Sequence, residues 1–321
     1  MKALVATAYG EPEKLSIADL PVPRPGPGQI LVKIAAASIN PTDLRVVTGG
    51  FGDLFALDFP YTLGNDFAGT VVEAGAGVAE YAPGDEVFGQ AMPRSLRAVT
   101  DPARPSLSTG AMAEYAVFES DTPLLAHRPA DVPAEQAAAL GIAGLTVLAL
   151  LAVARVEPGE TALVIGATGG VGTALVPMLA AAGVKVVGTA RNETNAAVLR
   201  ELGADQVIGF DRYPADVDVV FNLFLASDRL AEAGAAVRPG GRLLSIIYPP
   251  PTTLDLGRKD VDLHFVMDAA GKFGGMPGVA ESAAKGDLVA LIGGRYPLDE
   301  GVRAVVDYAR AGLMGKIVVT M

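Results

Sequence analysis

Cysteine is absent from all 321 residues. Its absence excludes disulfides, cysteine–zinc centres, thiolate nucleophiles and iron–sulfur ligation together, and leaves the redox compartment open. Histidine is nearly absent. His127 and His264 stand far apart in the chain, so a histidine-based metal site would need both, plus carboxylates. Basic charge is also scarce: 25 Lys and Arg against 36 Asp and Glu give a net charge of −11. With no long basic run to offset that balance, the chain repels phosphate backbones, and nucleic acid is disfavoured as a partner. The opening MKALVATAYG reads as a strand and lacks the long apolar region of a signal peptide, so a cytoplasmic location is expected. One uncharged run, residues 137–154, reaches the lower length limit for a membrane span. Its alanine and glycine content, and the lack of a basic cluster after it, favour a helix buried between domains over a span.

At roughly 100–200 residues per domain the length implies two domains. Up to about residue 120 the chain is a series of short strand-like runs, such as Ile30–Ala36 and Thr70–Glu73, bounded by the turn signals PVPRPGPG and EYAPGDEV. Met92–Gly110 reads as a long polar loop carrying Arg94, Arg97 and Arg104 against one acid, Asp101. Loops of that length are functional or disordered; here the arginines suggest a wall for an acidic or polar substrate. From Thr161 the pattern changes to strands alternating with helices. TALVIG, VKVVGTA, QVIGF, DVDVVFN, GRLLSII and DLHFVM read as strands, and Val171, Ala174, Leu175, Met178 and Leu179 form the apolar stripe of a helix. Alternation of this kind implies a parallel sheet covered on both faces. Pro177 within the first helix removes one backbone hydrogen bond and is expected to bend it.

VIGATGGVGTAL closes the first of these strands and opens its helix. A G-x-x-G-x-x-G spacing alone is weak, but between a strand and a helix it is where a dinucleotide turn must sit. Gly166, Ala167, Thr168, Gly169, Gly170 and Val171 are therefore candidate pyrophosphate contacts: glycine lets the anion approach, and the helix start offers free N–H groups. The end of the next strand reads GTARNETN, so Thr189 and Ala190 stand where an NAD site usually places its acid, and Arg191 follows. With no carboxylate to repel a 2′-phosphate and an arginine to bind one, NADPH is expected rather than NADH.

The chain resembles the zinc-independent quinone oxidoreductases of the medium-chain dehydrogenase/reductase superfamily nearly end to end. The resemblance runs through SINPTDLRVVTG, YTLGNDFAGTVVEAGAGVAEYAPGDEVFG, GAMAEYAVF, GIAGLTVLAL, the glycine turn, LRELGADQVI, VRPGGRLLSI and the closing GKIVVTM. It implies an α/β protein with a GroES-like β-rich catalytic domain, residues 1–120 and 287–321, and a Rossmann domain, residues 121–286. It further implies a cofactor in the cleft, a small-molecule substrate, a homodimer and no membrane. Zinc-dependent relatives carry a cysteine after the third strand and Gly-His-Glu at Gly64, whereas this chain has Asn40-Pro41-Thr42-Asp43 and Gly64-Asn65-Asp66. The resemblance therefore implies no metal. It assigns Asn40 as orienting group or oxyanion donor beside nicotinamide and substrate. Thr146 becomes a cofactor contact and Phe210 a wall of the adenosine end. Asn222, Leu223, Ile247, Tyr248, Phe265, Val266 and Met267 become positions where backbone approaches ribose and nicotinamide. Tyr61 and Tyr248 are candidate substrate-pocket residues, with no proton donor assigned. Asn222 departs from the usual aspartate, and the segment after Phe210 is short. The implied activity is metal-free reduction of a quinone or an α,β-unsaturated carbonyl by NADPH. The alternatives are a biosynthetic enoyl reductase on a polyketide-type intermediate and a non-catalytic NADPH-binding protein.

Overall fold

The computed structural model describes residues 1–51, 57–91, 110–310 and 313–321. The chain forms two compact units, residues 1–145 with 269–321, and residues 146–268. These boundaries differ from the 120 and 287 that the family resemblance implies. The flanking segments belong by contact to the first unit: Met276 N donates to Pro123 O at 2.7 Å, and Ile142 N donates to Asp66 Oδ1 at 2.8 Å.

The first unit is built on antiparallel pairing. A three-stranded sheet has β1 (Lys2–Ala6) between β2 (Ser16–Asp19) and β4 (Tyr61–Thr62). A larger sheet is organised around β3 (Gln29–Ser38) and β5 (Asp66–Ala74). β5 continues to β6 (Glu86–Gln90) and β8 (Leu125–His127), and β7 (Tyr115–Glu119) pairs with β3. On the edge of β3 away from β5, alongside β7, lies β16 (Lys316–Thr320), followed by β15 (Ile292–Pro297) in parallel. The apolar residues of β3 and β5, with Tyr61, Leu63 and Val319, fill one core. Helix α1 (Pro41–Val47) leaves the end of β3 at once, because Pro41 at its first position has no N–H to leave unpaired.

Helix α2 (Ala134–Ala154) carries Glu135 in its first turn and then contains the long uncharged run, residues 137–154. By length and composition alone it passes the test for a membrane span, with mean hydropathy 2.4, yet 67% of its most apolar window is buried within the chain. A core helix is buried on most sides and is apolar for that reason.

The second unit has six parallel strands: β9 (Thr161–Ile165), β10 (Lys185–Thr189), β11 (Gln206–Ile208), β12 (Val217–Asn222), β13 (Val237–Ser245) and β14 (Asp262–Phe265). Their spatial order is β11-β10-β9-β12-β13-β14. Counted within the unit this is 3-2-1-4-5-6, the doubly wound Rossmann order, whose reversal beside the first strand makes a crevice at the carboxyl ends. Helices α3 (Gly170–Ala181) and α4 (Glu193–Glu201) supply the first crossovers, with Pro177 inside α3 as expected.

Candidate functional site

The carboxyl edge of the Rossmann sheet carries the glycine turn between β9 and α3. Its three spaced glycines have separate physical reasons. Gly166 has φ +90°, a conformation open to glycine at little strain. Gly172 faces the turn itself: a Cβ there would stand 2.5 Å from Ala167 O, so only glycine lets α3 start this close to β9. Gly169 is exposed, and a Cβ there would meet nothing nearer than Gly166 O at 3.4 Å. It leaves the space an anion would enter, and it caps α3, whose first N–H groups have no intrahelical partner. Tight turn, open approach and close packing in that sequence fit a pyrophosphate.

Thr189 is fully buried, and its hydroxyl accepts from Gly166 N at 2.9 Å. It secures the turn, with its side chain directed at β9. Asn222 is likewise fully buried. Its Nδ2 donates to Leu225 O at 2.9 Å and Ser245 Oγ at 3.1 Å, and its Oδ1 accepts from Leu225 N at 2.8 Å and Phe224 N at 3.3 Å. An amide can both donate and accept, which this turn requires and an ionised aspartate cannot do. The turn lays residues 223–225 against Gly166, where a Cβ would meet Phe224 Cβ at 3.0 Å.

The first unit holds a buried polar knot where three neighbouring strands meet. Register places Ser38 of β3 opposite Asp66 of β5 and opposite Val318 of β16. Asp66 Oδ2 accepts from Ser38 Oγ at 2.7 Å, Asn40 Nδ2 at 2.8 Å and Lys316 Nζ at 3.1 Å, while its Oδ1 takes the Ile142 amide of α2. Gly141 permits this approach, because a side chain there would strike the Asp66 carboxylate. The Lys316 ammonium completes its three donors with Asn40 Oδ1 at 2.7 Å and Ile39 O at 3.1 Å. Ser38, Asn40, Asp66 and Lys316 are all at most 4% exposed. Asn40 thus has its carboxamide oriented from both ends. Its backbone N donates to Asp43 Oδ2 at 2.8 Å. Asp43 is fully buried, its Oδ1 has no hydrogen-bond partner, and burial pushes its pKa up to about 7. Burial likewise drives the Tyr61 and Tyr308 hydroxyls well above the ordinary phenol range, with the Asp43 charge adding to the shift.

Comparison with known proteins follows the same division. The alcohol dehydrogenase GroES-like domain matches residues 26–129, and the zinc-binding dehydrogenase family matches residues 170–266. The quinone oxidoreductase of Rattus norvegicus is 30% identical over 344 residues, covering 100% of this chain and 98% of that protein. The chain belongs to the quinone oxidoreductase-like branch of the medium-chain dehydrogenase/reductase superfamily. Another relative, the chloroplastic NADPH-dependent alkenal/one oxidoreductase of Arabidopsis thaliana, is 31% identical over 263 residues, covering 78% of this chain and 64% of that protein. The solved quinone oxidoreductase of Coxiella burnetii superposes with a TM-score of 0.87 at 26% identity, over 100% of this chain and 99% of that one.

Within this oxidoreductase family fold, the Rossmann residues expected at the cofactor site gather at one edge. Asn222 aligns with Ile165 and Ser245, and Ser245 with Phe265. The expected residues Gly166–Val171, Leu223, Ile247, Tyr248, Val266 and Met267 follow those strand ends directly. Met267 is 62% exposed, and Tyr248, joined to Pro249 by a cis peptide, is 38% exposed. Ala190 is buried, and its N–H pairs with Ile208 O. Thr146 is half-buried on α2, outside the sheet. Tyr61 is 1% exposed and lies in the core of the first unit. Arg94, Arg97 and Arg104 lie outside the described residues. Sequence reasoning missed Phe224, Asp66 and Lys316 as members of the two sites. The first was hidden in an apolar run, and the other two are joined only by folding.

Proposed function

We propose that the protein is an NADPH-dependent reductase that transfers hydride to a quinone or an α,β-unsaturated carbonyl without a metal. The glycine turn carries the coenzyme half of this reading: Gly166 turns, Gly172 packs and Gly169 stays open ahead of the α3 amides. The turn and α3 amides would hold the pyrophosphate. Beyond β10, Arg191 follows Thr189 and Ala190, the positions where an NAD site usually places its acid, and it would meet the 2′-phosphate. The nicotinamide, when bound, supplies the hydride. The rat and Arabidopsis relatives act, by their names, on quinones and on alkenals or alkenones. These substrates share an electrophilic carbon conjugated to an oxygen that gains negative charge, which hydrogen-bond donors stabilise.

The donor set supports the metal-free part. The sequence offers no cysteine, and among the described residues no three His, Asp or Glu side chains converge. In the corner where zinc relatives hold ligands, Asn40 is committed to Asp66 and Lys316, and Asn65 Nδ2 donates to Thr42 Oγ1 at 3.2 Å. Asn40 is assigned the orienting role: both ends of its amide are held within the protein.

Coenzyme oxidation tests the reading, with NADPH and NADH compared across quinones, small enones and enoyl thioesters, with and without EDTA. Turnover with NADPH on a quinone or enone, indifferent to EDTA, is expected. Loss of turnover on chelation would overturn the metal-free assignment. Preference for NADH would overturn the coenzyme, and binding without turnover on any acceptor would overturn the activity.

A further inference from the structure

Three side chains from the ends of three strands meet at the adenosine side of the Rossmann edge. Arg191 follows β10, Phe210 follows β11 and Phe224 follows β12. The Arg191 guanidinium carbon lies 5.5 Å from the Phe224 ring centroid, and the Phe210 ring meets Phe224 edge-on at 5.3 Å. β12 and β10 flank β9 on opposite sides, so Phe224 reaches Arg191 across the mouth of the glycine turn. It does so because the buried Asn222 side chain bonds both the Phe224 and Leu225 amides and fixes the turn. An aromatic ring 46% exposed at such an edge gains little by its own burial. A face occupied by a cation and an edge-on neighbour give it a different use.

We infer that Phe224 is a positioning residue for coenzyme choice: its ring holds the Arg191 guanidinium over the turn, ready for a 2′-phosphate, and Phe210 fixes the ring. The inference rests on the NADPH reading above. Arginine on a long flexible stem loses rotamer freedom when it binds a phosphate, and a ring that has already restricted it removes part of that loss. The departure of residue 222 from aspartate acquires a purpose here, since the asparagine builds the turn that presents the ring.

Calorimetric titration with two fragments separates this inference from the reading beneath it. Adenosine 2′,5′-bisphosphate carries the discriminating phosphate, and adenosine 5′-monophosphate does not. The parent protein is expected to bind the bisphosphate more tightly. Phe224→Leu, which keeps bulk and removes the π face, is expected to narrow that preference by roughly two- to fivefold, the range for an exposed cation–π pair, with monophosphate affinity unchanged. Phe224→Tyr is expected to retain the preference. In an Arg191→Ala background, Phe224→Leu should have no further effect on the ratio. An unchanged ratio in Phe224→Leu, in a parent that prefers the bisphosphate, overturns the inference alone, and so does an equal loss for both fragments. A parent with no preference overturns the NADPH reading and the inference with it.

Discussion

Lys316→Met removes the cation from the buried knot and keeps most of the side-chain volume. Asp66 is left fully buried, with Ser38, Asn40 and Ile142 as its donors and no countercharge among the residues that bond it. Breaking one side of a buried ion pair costs about 3–5 kcal/mol. The ammonium also serves Ile39 O and Asn40 Oδ1. Each of these becomes an unsatisfied acceptor at about 1–3 kcal/mol, overlapping the first loss because all three share one site. A net destabilisation of about 4 kcal/mol is therefore expected, a large share of the roughly 5–15 kcal/mol of an ordinary domain. The chain has no tryptophan, so urea unfolding of the first unit is best followed by near-ultraviolet circular dichroism of its buried Tyr61 and Tyr81. The double variant Lys316→Met/Asp66→Asn removes both charges and should recover about 2 kcal/mol of the single loss. A Lys316→Met loss below about 1 kcal/mol would refute the account, as would a double variant that loses at least as much as the single one.

Other perturbations separate parts of the same sites. Gly169→Val should leave the thermal midpoint within about 2 °C, because its Cβ position is open, while abolishing measurable coenzyme binding; Gly172→Val should lower the midpoint itself, since its Cβ would strike Ala167. Thermal scanning with and without coenzyme distinguishes the two. Asp43 has a folded pKa raised from 3.8 to about 7 by burial. The folded state therefore holds this proton more tightly than the unfolded one, and stability falls as pH rises through that window, at up to about 1.4 kcal/mol per pH unit. Asp43→Asn should flatten that slope and stabilise the protein most at and above neutrality; urea midpoints from pH 4 to pH 8 check it, and parallel curves for the two proteins would count against it. Asn222→Asp should loosen the 223–225 turn, because Asn222 Nδ2 donates to Leu225 O and Ser245 Oγ. Weaker binding of the adenosine fragments, with a lower urea midpoint at neutral pH because the new carboxylate is buried against Leu225 O, is the expected result.

Local pattern made the Rossmann unit legible. Each expected strand appears, because apolar runs broken by glycine and polar turns carry the sheet's spacing within about ten residues. The glycine turn was legible for the same reason: its three constraints lie within Gly166–Gly172. The polar knot was not. Lys316 opens a strand in GKIVVTM and reads as a solvated end, yet it bonds Asn40 across 276 positions. No local pattern foretells that a lysine will be buried, only that it will need partners if it is. Sequence puts Thr189 and Asn222 at the carboxyl ends of their strands, and both close those strands in the structure. Their hydrogen bonds turn inward to shape the loops, which only the fold could decide. Phe224 looked like one more apolar residue, and its significance lies in what stands beside it.

The position of β16 bears on how the chain is made. This strand lies between β15 and β3 inside the larger sheet of the first unit, although it closes the sequence described. During synthesis residues 36–38 of β3 must wait for β16 on the edge where β7 covers only residues 29–33, whereas every strand of the Rossmann unit has been made by residue 265. The second unit can therefore fold on the ribosome while the first stays open, with an exposed strand edge inviting a wrong partner. Lys316 brings the missing countercharge to Asp66 with that last strand. Closure of the sheet and neutralisation of its buried acid are thus one late event, and a nascent chain stalled before residue 316 should leave the first unit protease-sensitive beside a resistant second.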